Sequence, residues 1–194
     1  MTGVDYIELG ELKAMLRITD YVDDELLAAH ITAASRTIDD ICHRSFSLDT
    51  TATARTYFPD SALVVRTDDI GSTSGLVVKI DNDLTGTFEL TVTDYTTQPD
   101  NALAKGNPIT KLIAYETYWP TDIRPTVQVT AKWGYPAVPE PVRSACGILA
   151  GRLYKRADSL LGVAGFGDLG AIMLRAVDPD VQRMLAPYIR VPVG

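Results

Sequence analysis

Apolar positions recur at helical spacing near both ends of the chain and at strand spacing in its middle. Leu12, Met15 and Leu16 stand at i, i+3, i+4, which predicts a short helix from Gly10 to about Ile18. Thr19-Asp20-Tyr21-Val22-Asp23-Asp24 then interrupts it. Asp23 is the expected cap of a second helix, and Asp24 and Glu25 suit the positive end of its dipole. That helix runs to about His43. Leu27, Ile31, Ala34, Ile38 and Ile41 form one stripe, and the alanines at 28, 29, 33 and 34 permit close approach by another helix. The pattern then changes. Thr53–Phe58, Ala62–Arg66, Leu76–Ile80, Thr87–Val92 and Val127–Trp133 are β-branched or aromatic runs bounded by turn residues, and Thr110–Tyr115 is a further candidate. Helical spacing returns with Val142, Cys146, Leu149 and Leu153, after the Pro139–Pro141 start signal. A glycine-rich loop spans 162–170, and 171–177 reads as extended. Asp178-Pro179 opens a short helix with Val181, Met184 and Leu185 turned inward; Pro187 is expected to end it, before an extended tail at 191–194.

Composition sharpens this division. Seventeen of the 21 threonines fall between Thr50 and Thr130, where a pleated surface favours them. The expectation is an α+β protein, mainly a helical bundle formed by the N- and C-terminal segments, with an inserted antiparallel β element. Residues 1–49 and 137–194 would make a discontinuous helical core, 50–136 the insertion, and 187–194 a C-terminal tail. Charge follows the same boundaries: −6, −3 and +2 along the three stretches, for a net charge of −7 over 194 residues. So acidic a chain is a poor candidate for coating phosphate backbones. No apolar run reaches the length of a membrane span. The N-terminus has no basic stretch, so no secretory leader is expected. Two distant cysteines, Cys42 and Cys146, read as buried thiols of a protein made in a reducing compartment.

Candidate chemistry is sparse. Gly165-Phe166-Gly167-Asp168-Leu169-Gly170 matches GxGxxG but follows a basic helix end rather than a strand, so it reads as a connection with Phe166 as apolar anchor. Asp81, Asp83, Thr85, Gly86 and Glu89 imitate the start of a calcium loop, but Val92 stands at the twelfth position, and a hairpin turn is expected. The pairs Asp39-Asp40 and Asp68-Asp69 lack an environment that would separate their pKa values. With His30 and His43 as the only histidines, neither a metal site nor a nucleophile motif is evident. No enzyme, metal or cofactor is expected. Arg152, Lys155 and Arg156, with Tyr154, make a basic-aromatic cluster that reads either as a contact for an acidic protein partner or DNA phosphates, or as a solvated helix end completing its dipole with Tyr154 packed.

Several stretches together resemble the head–tail connector proteins, or adaptors, of tailed bacteriophages. These are Trp133-Gly134-Tyr135-Pro136-Ala137-Val138-Pro139-Glu140-Pro141-Val142-Arg143 continuing to Leu153-Tyr154-Lys155-Arg156, Gly162–Asp168, Val177–Val181, Leu12–Ile18 and the acidic entry into the second helix. Where the family opens its first helix on Ser, Thr or Asp, this chain has Gly10. The resemblance implies a structural subunit of the virion head–tail junction, made in the host cytoplasm. It implies a ring, commonly twelve-fold, that docks on the portal, receives the next neck or tail component and lets DNA pass unbound. Under that resemblance, portal or subunit contacts fall on Arg152, Tyr154, Lys155, Arg156, Phe166, Val181, Met184, Leu185, Tyr188 and Arg190. Asp39 and Asp40 would line the channel and repel phosphates. The competing expectations are a monomeric β-rich interaction module and an enzyme with an unrecognised site.

Overall fold

A computed structural model describes residues 4–159 and 178–190, with no side-chain description for 157–159. The described residues form four α-helices and a six-stranded antiparallel sheet. This overturns the expectation of a mainly helical bundle. The middle of the chain builds a full sheet around a core of its own. The chain divides into two compact units, residues 1–45 with 138–194, and residues 46–137.

In the first unit, α1 spans Leu9–Leu16, α2 Asp24–Cys42, α3 Glu140–Ser159 and α4 Pro179–Leu185. Helix α1 is capped two residues earlier than the sequence suggested. Glu8 and Glu11 exchange side-chain-to-backbone hydrogen bonds in a capping box, so Gly10 lies inside the helix. Helix α1 ends on Arg17 in the left-handed region (φ 60°). Helix α2 buries Leu27, Ile31, Ala34, Ser35, Ile38 and Cys42, one stripe facing α3. Small residues carry the close approach: a Cβ on Gly147 of α3 would press on Met15, and one on Gly151 on Leu16. Asp178 caps α4 by accepting from the Asp180 amide at 2.8 Å, with Pro179 in the first turn, as expected. Pro187 does not stop the chain's winding; a single 3-10 turn covers Ala186–Tyr188.

The second unit contains β1 (Thr53–Tyr57), β2 (Val64–Ile80), β3 (Leu90–Val92), β4 (Tyr95–Gln98), β5 (Ile109–Ala114) and β6 (Val127–Trp133). The order is β1-β6-β2-β5-β4, with β3 also on β2. Two runs read as separate strands are one. Strand β2 pairs β5 through Val64–Ile70 and β6 through Ile70–Ile80, with register shifts between Ile70 and Val77. Those shifts are bulges that re-aim the strand. Strand β4 went unrecognised in the sequence. The core gathers Val65, Ile70, Val78, Ile80, Leu112, Val127, Val129 and Trp133 around Trp119, whose indole N–H donates to the Leu63 carbonyl at 3.1 Å. Burying such a side chain with its one donor satisfied is the favourable case for tryptophan. At Gly134 (φ +109°) a Cβ would collide with the Ser47 carbonyl, so the Trp133-Gly134 exit requires glycine.

Candidate functional site

The basic-aromatic cluster on α3 is partly committed to its own unit. Arg152 pairs with Asp178, the α4 cap, at 3.0 Å. The Tyr154 hydroxyl donates to Asp23, which precedes α2, at 2.6 Å. Asp23 makes no side-chain cap bond to α2, so the cap residue named from sequence serves as an acceptor for Tyr154 instead. Lys155 and Arg156 are exposed at the end of the described part of α3. The structure therefore divides the four residues: two fasten helices together and two face solvent.

On α4, Val181 and Leu185 are fully buried, where the helix packs on α3, and Met184 is half-buried. Tyr188 and Arg190 are half-buried, and the Arg190 amide donates to the Cys42 carbonyl at 2.9 Å, tying the chain after α4 to the end of α2. Phe166, the whole GxGxxG match and the tail at 191–194 lie outside the described residues.

The two acids assigned to a channel differ. Asp40 is exposed. Asp39 accepts from the Tyr6 hydroxyl and pairs with Arg36 at 2.9 Å. Burial pushes the Asp39 carboxyl above its usual value, against the lowering effects of Tyr6 and Arg36. Arg36 also donates to the Val4 carbonyl at 2.7 Å, so these contacts pin the entering chain to α2.

The other sequence motifs resolve as structure. Asp81 accepts from the amides of Thr85 (2.9 Å) and Gly86 (2.8 Å), closing the turn after β2. Its burial raises the carboxyl pKa, but these two donors, with Asp83 and Arg124, outweigh it and hold the value below 3.8. Asp68 accepts from Arg55 (2.7 Å) and Tyr57 (3.0 Å). Cys42 and Cys146 are buried free thiols; burial lifts Cys42 to about 11 and raises Cys146 as well. Among the described residues no three His, Cys, Asp or Glu side chains gather as a metal site, and no helix is long and apolar enough to cross a membrane.

Two exposed apolar groups were missed. Tyr21 and Val22, 82% and 87% exposed, stand between α1 and α2. Tyr115, Tyr118 and Ile123, the last 91% exposed, stand on the β5–β6 connection, which is held by Trp119 and by Arg124 donating to the Leu84 carbonyl at 2.5 Å. The loop thus holds three large apolar side chains out toward solvent. Their only signal in the sequence is large apolar residues within otherwise polar, proline-bearing stretches.

The class these features define is an α+β protein with four helices and a six-stranded antiparallel sheet among the described residues. Comparison with known proteins agrees. Residues 6–73 match the model of the phage gp6-like head-tail connector proteins, which bears out the resemblance read from the sequence. In structure, the chain is similar to a chain of the neck of an empty GTA particle, computed with C6 symmetry. The TM-score is 0.58 at 16% identity, covering 97% of this chain and 92% of that one. It is also similar to a chain of the neck of a native GTA particle, computed with C12 symmetry. There the TM-score is 0.54 at 15% identity, covering all of this chain and 98% of that one. Among curated proteins none matches in sequence. The structural similarity is one of fold and spans both units.

Proposed function

We propose that this chain is a head–tail connector subunit of a tailed-phage-like particle, a structural protein that joins the capsid portal to the next neck component. The family match over residues 6–73 is the observation that carries this reading, and the neck fold over nearly the whole chain supports it. Copies of the chain would form a ring, a reading supported by the similar necks computed with C6 and C12 symmetry, and twelve-fold in the particle. In this reading the protein catalyses nothing and DNA passes through the ring without being gripped.

The surface roles follow from the exposure and burial of each residue. Lys155 and Arg156 would meet acidic groups of the portal or of a neighbouring copy. Because Val181 and Leu185 are buried, α4 would act by holding Met184, Tyr188 and Arg190 in place rather than by offering its own apolar stripe. Phe166 and the tail would complete the portal contact. Asp40 is better suited to the lumen than Asp39, whose carboxylate is engaged by Tyr6 and Arg36. Channel acids would keep the duplex sliding, because cations there would hold phosphates.

The test is assembly. Full-length protein mixed with the portal of its own particle should form a stoichiometric complex visible as stacked rings by negative-stain microscopy. Persistent failure to bind the portal would overturn the proposal.

A further inference from the structure

Among the described residues, strand β1 pairs as a strand only with β6, which leaves one edge of the sheet open. The Thr53 carbonyl accepts from the Trp133 indole at 2.9 Å, and the Tyr57 carbonyl from the Thr126 amide at 3.2 Å. Both donors lie on the β6 side, so Thr53, Arg55 and Tyr57 turn their peptide groups toward β6. Peptide groups alternate along a strand, so those of Ala54 and Thr56 point away from the sheet. Outside the β1–β6 ladder, no backbone hydrogen bond reaches Ala54 or Thr56 among the described residues. Thr53, Ala54 and Thr56 are also exposed.

An open edge is a template for another strand, and proteins usually blunt it with lysine, proline or a bulge. Strand β1 has none of these. Its single charge, Arg55, is drawn off by Asp68 at 2.7 Å and by the Trp133 ring at 4.5 Å. The opposite end of the sheet is β4. There the Tyr115 amide donates to the Asp94 carbonyl, which by alternation turns Thr96 toward β5 and Thr97 outward. Among the described residues the path β1-β6-β2-β5-β4 therefore ends in two different open strands, β1 and β4, with the three-residue β3 off that path on β2. Pairing β1 of one copy with β4 of the next joins unlike surfaces, the head-to-tail geometry that closes into a ring.

We propose that the β1 edge of this protein is a docking site for a second copy of the same chain, through that copy's β4. This rests on the ring reading above and names the surface that would build it. An unprotected edge favours a permanent partner, and identical copies in a ring supply one at fixed proximity.

Hydrogen exchange on the full-length protein tests the pairing without needing its register. In dilute monomer the Ala54 and Thr56 amides should exchange quickly. In the assembled oligomer they should slow about tenfold or more, together with Thr97. A second arm uses Ala54→Pro, which removes an outward N–H and leaves the β1–β6 ladder its own bonds. This variant should melt near the wild type yet fail to assemble. If the oligomer forms with the Ala54 and Thr56 amides unprotected, the edge proposal falls and the ring reading survives. If those amides are protected but Thr97 is not, β4 is the wrong partner. If no oligomer forms alone or on the portal, the ring reading falls and this proposal with it.

Discussion

The Tyr154 hydroxyl on α3 lies 2.6 Å from the Asp23 carboxylate at the entry to α2. Two residues 131 positions apart thus close the helical unit, although each reads in sequence as something else, one as an interface aromatic and the other as a helix cap. Tyr154→Phe should keep the ring's packing and lose the bond. A hydrogen bond to a carboxylate at a half-buried site contributes about 1–2 kcal/mol. For a chain of this length that corresponds to a Tm lower by roughly 2–8 °C. Urea titration checks it. Unchanged stability with lost portal binding would move Tyr154 to the interface.

Gly134 and Gly86 both have positive φ, but only one is crowded. Gly134→Ala drives its Cβ into the Ser47 carbonyl, and should cost more than about 2 kcal/mol or prevent folding. Gly86→Ala meets nothing within 4 Å and should cost only backbone strain, about 1 kcal/mol. Parallel denaturation curves measure the contrast, and equal losses would contradict the geometry.

Burial pushes the Asp81 carboxyl up, but the Gly86 and Thr85 amides outweigh it and hold the carboxyl below its ordinary value in the folded protein. A depressed acid stabilises above its unfolded pKa and loses that contribution as pH falls through the folded value. Asp81→Asn should therefore be less stable than wild type at pH 7, and the gap should narrow below about pH 3.8. Stability curves at several pH values decide this; a gap independent of pH would mean that the charge contributes nothing.

Both cysteines should be silent toward an aromatic disulfide reagent at pH 8 while the protein is folded. Their thiols are buried, and burial lifts Cys42 to about 11, so little thiolate forms. Unfolding in denaturant should release two reacting thiols. Rapid labelling of the folded protein would contradict the packing of Cys42 and Cys146.

Much of the helical architecture was legible because burial there is one-sided. Leu27, Ile31, Ala34 and Ile38 face one neighbour, and that leaves a 3.6-residue rhythm in the sequence. The sheet was legible strand by strand but not as a whole. Thr67 and Asp69 are polar, and Gly71 and Gly75 resemble a turn, yet they lie within β2, where β5 and β6 supply distant partners. Four residues at 95–98 become a strand only through pairing with β5, so no local pattern could show it. The size of the sheet was underestimated for the same reason. In the candidate site, the spacing of Val181 and Leu185 fits a core or an interface equally well, and only their burial places them inside. The exposed tips at Tyr21, Val22 and Ile123 have no periodicity at all, because loops are shaped by their anchors.

The central claim is that this chain links a portal to a neck as a ring. Electron microscopy of the full-length protein co-assembled with its own particle's portal tests it most directly. The account predicts a ring of this chain, twelve-fold in symmetry, seated on the portal. A chain that stays monomeric beside an unoccupied portal would contradict it.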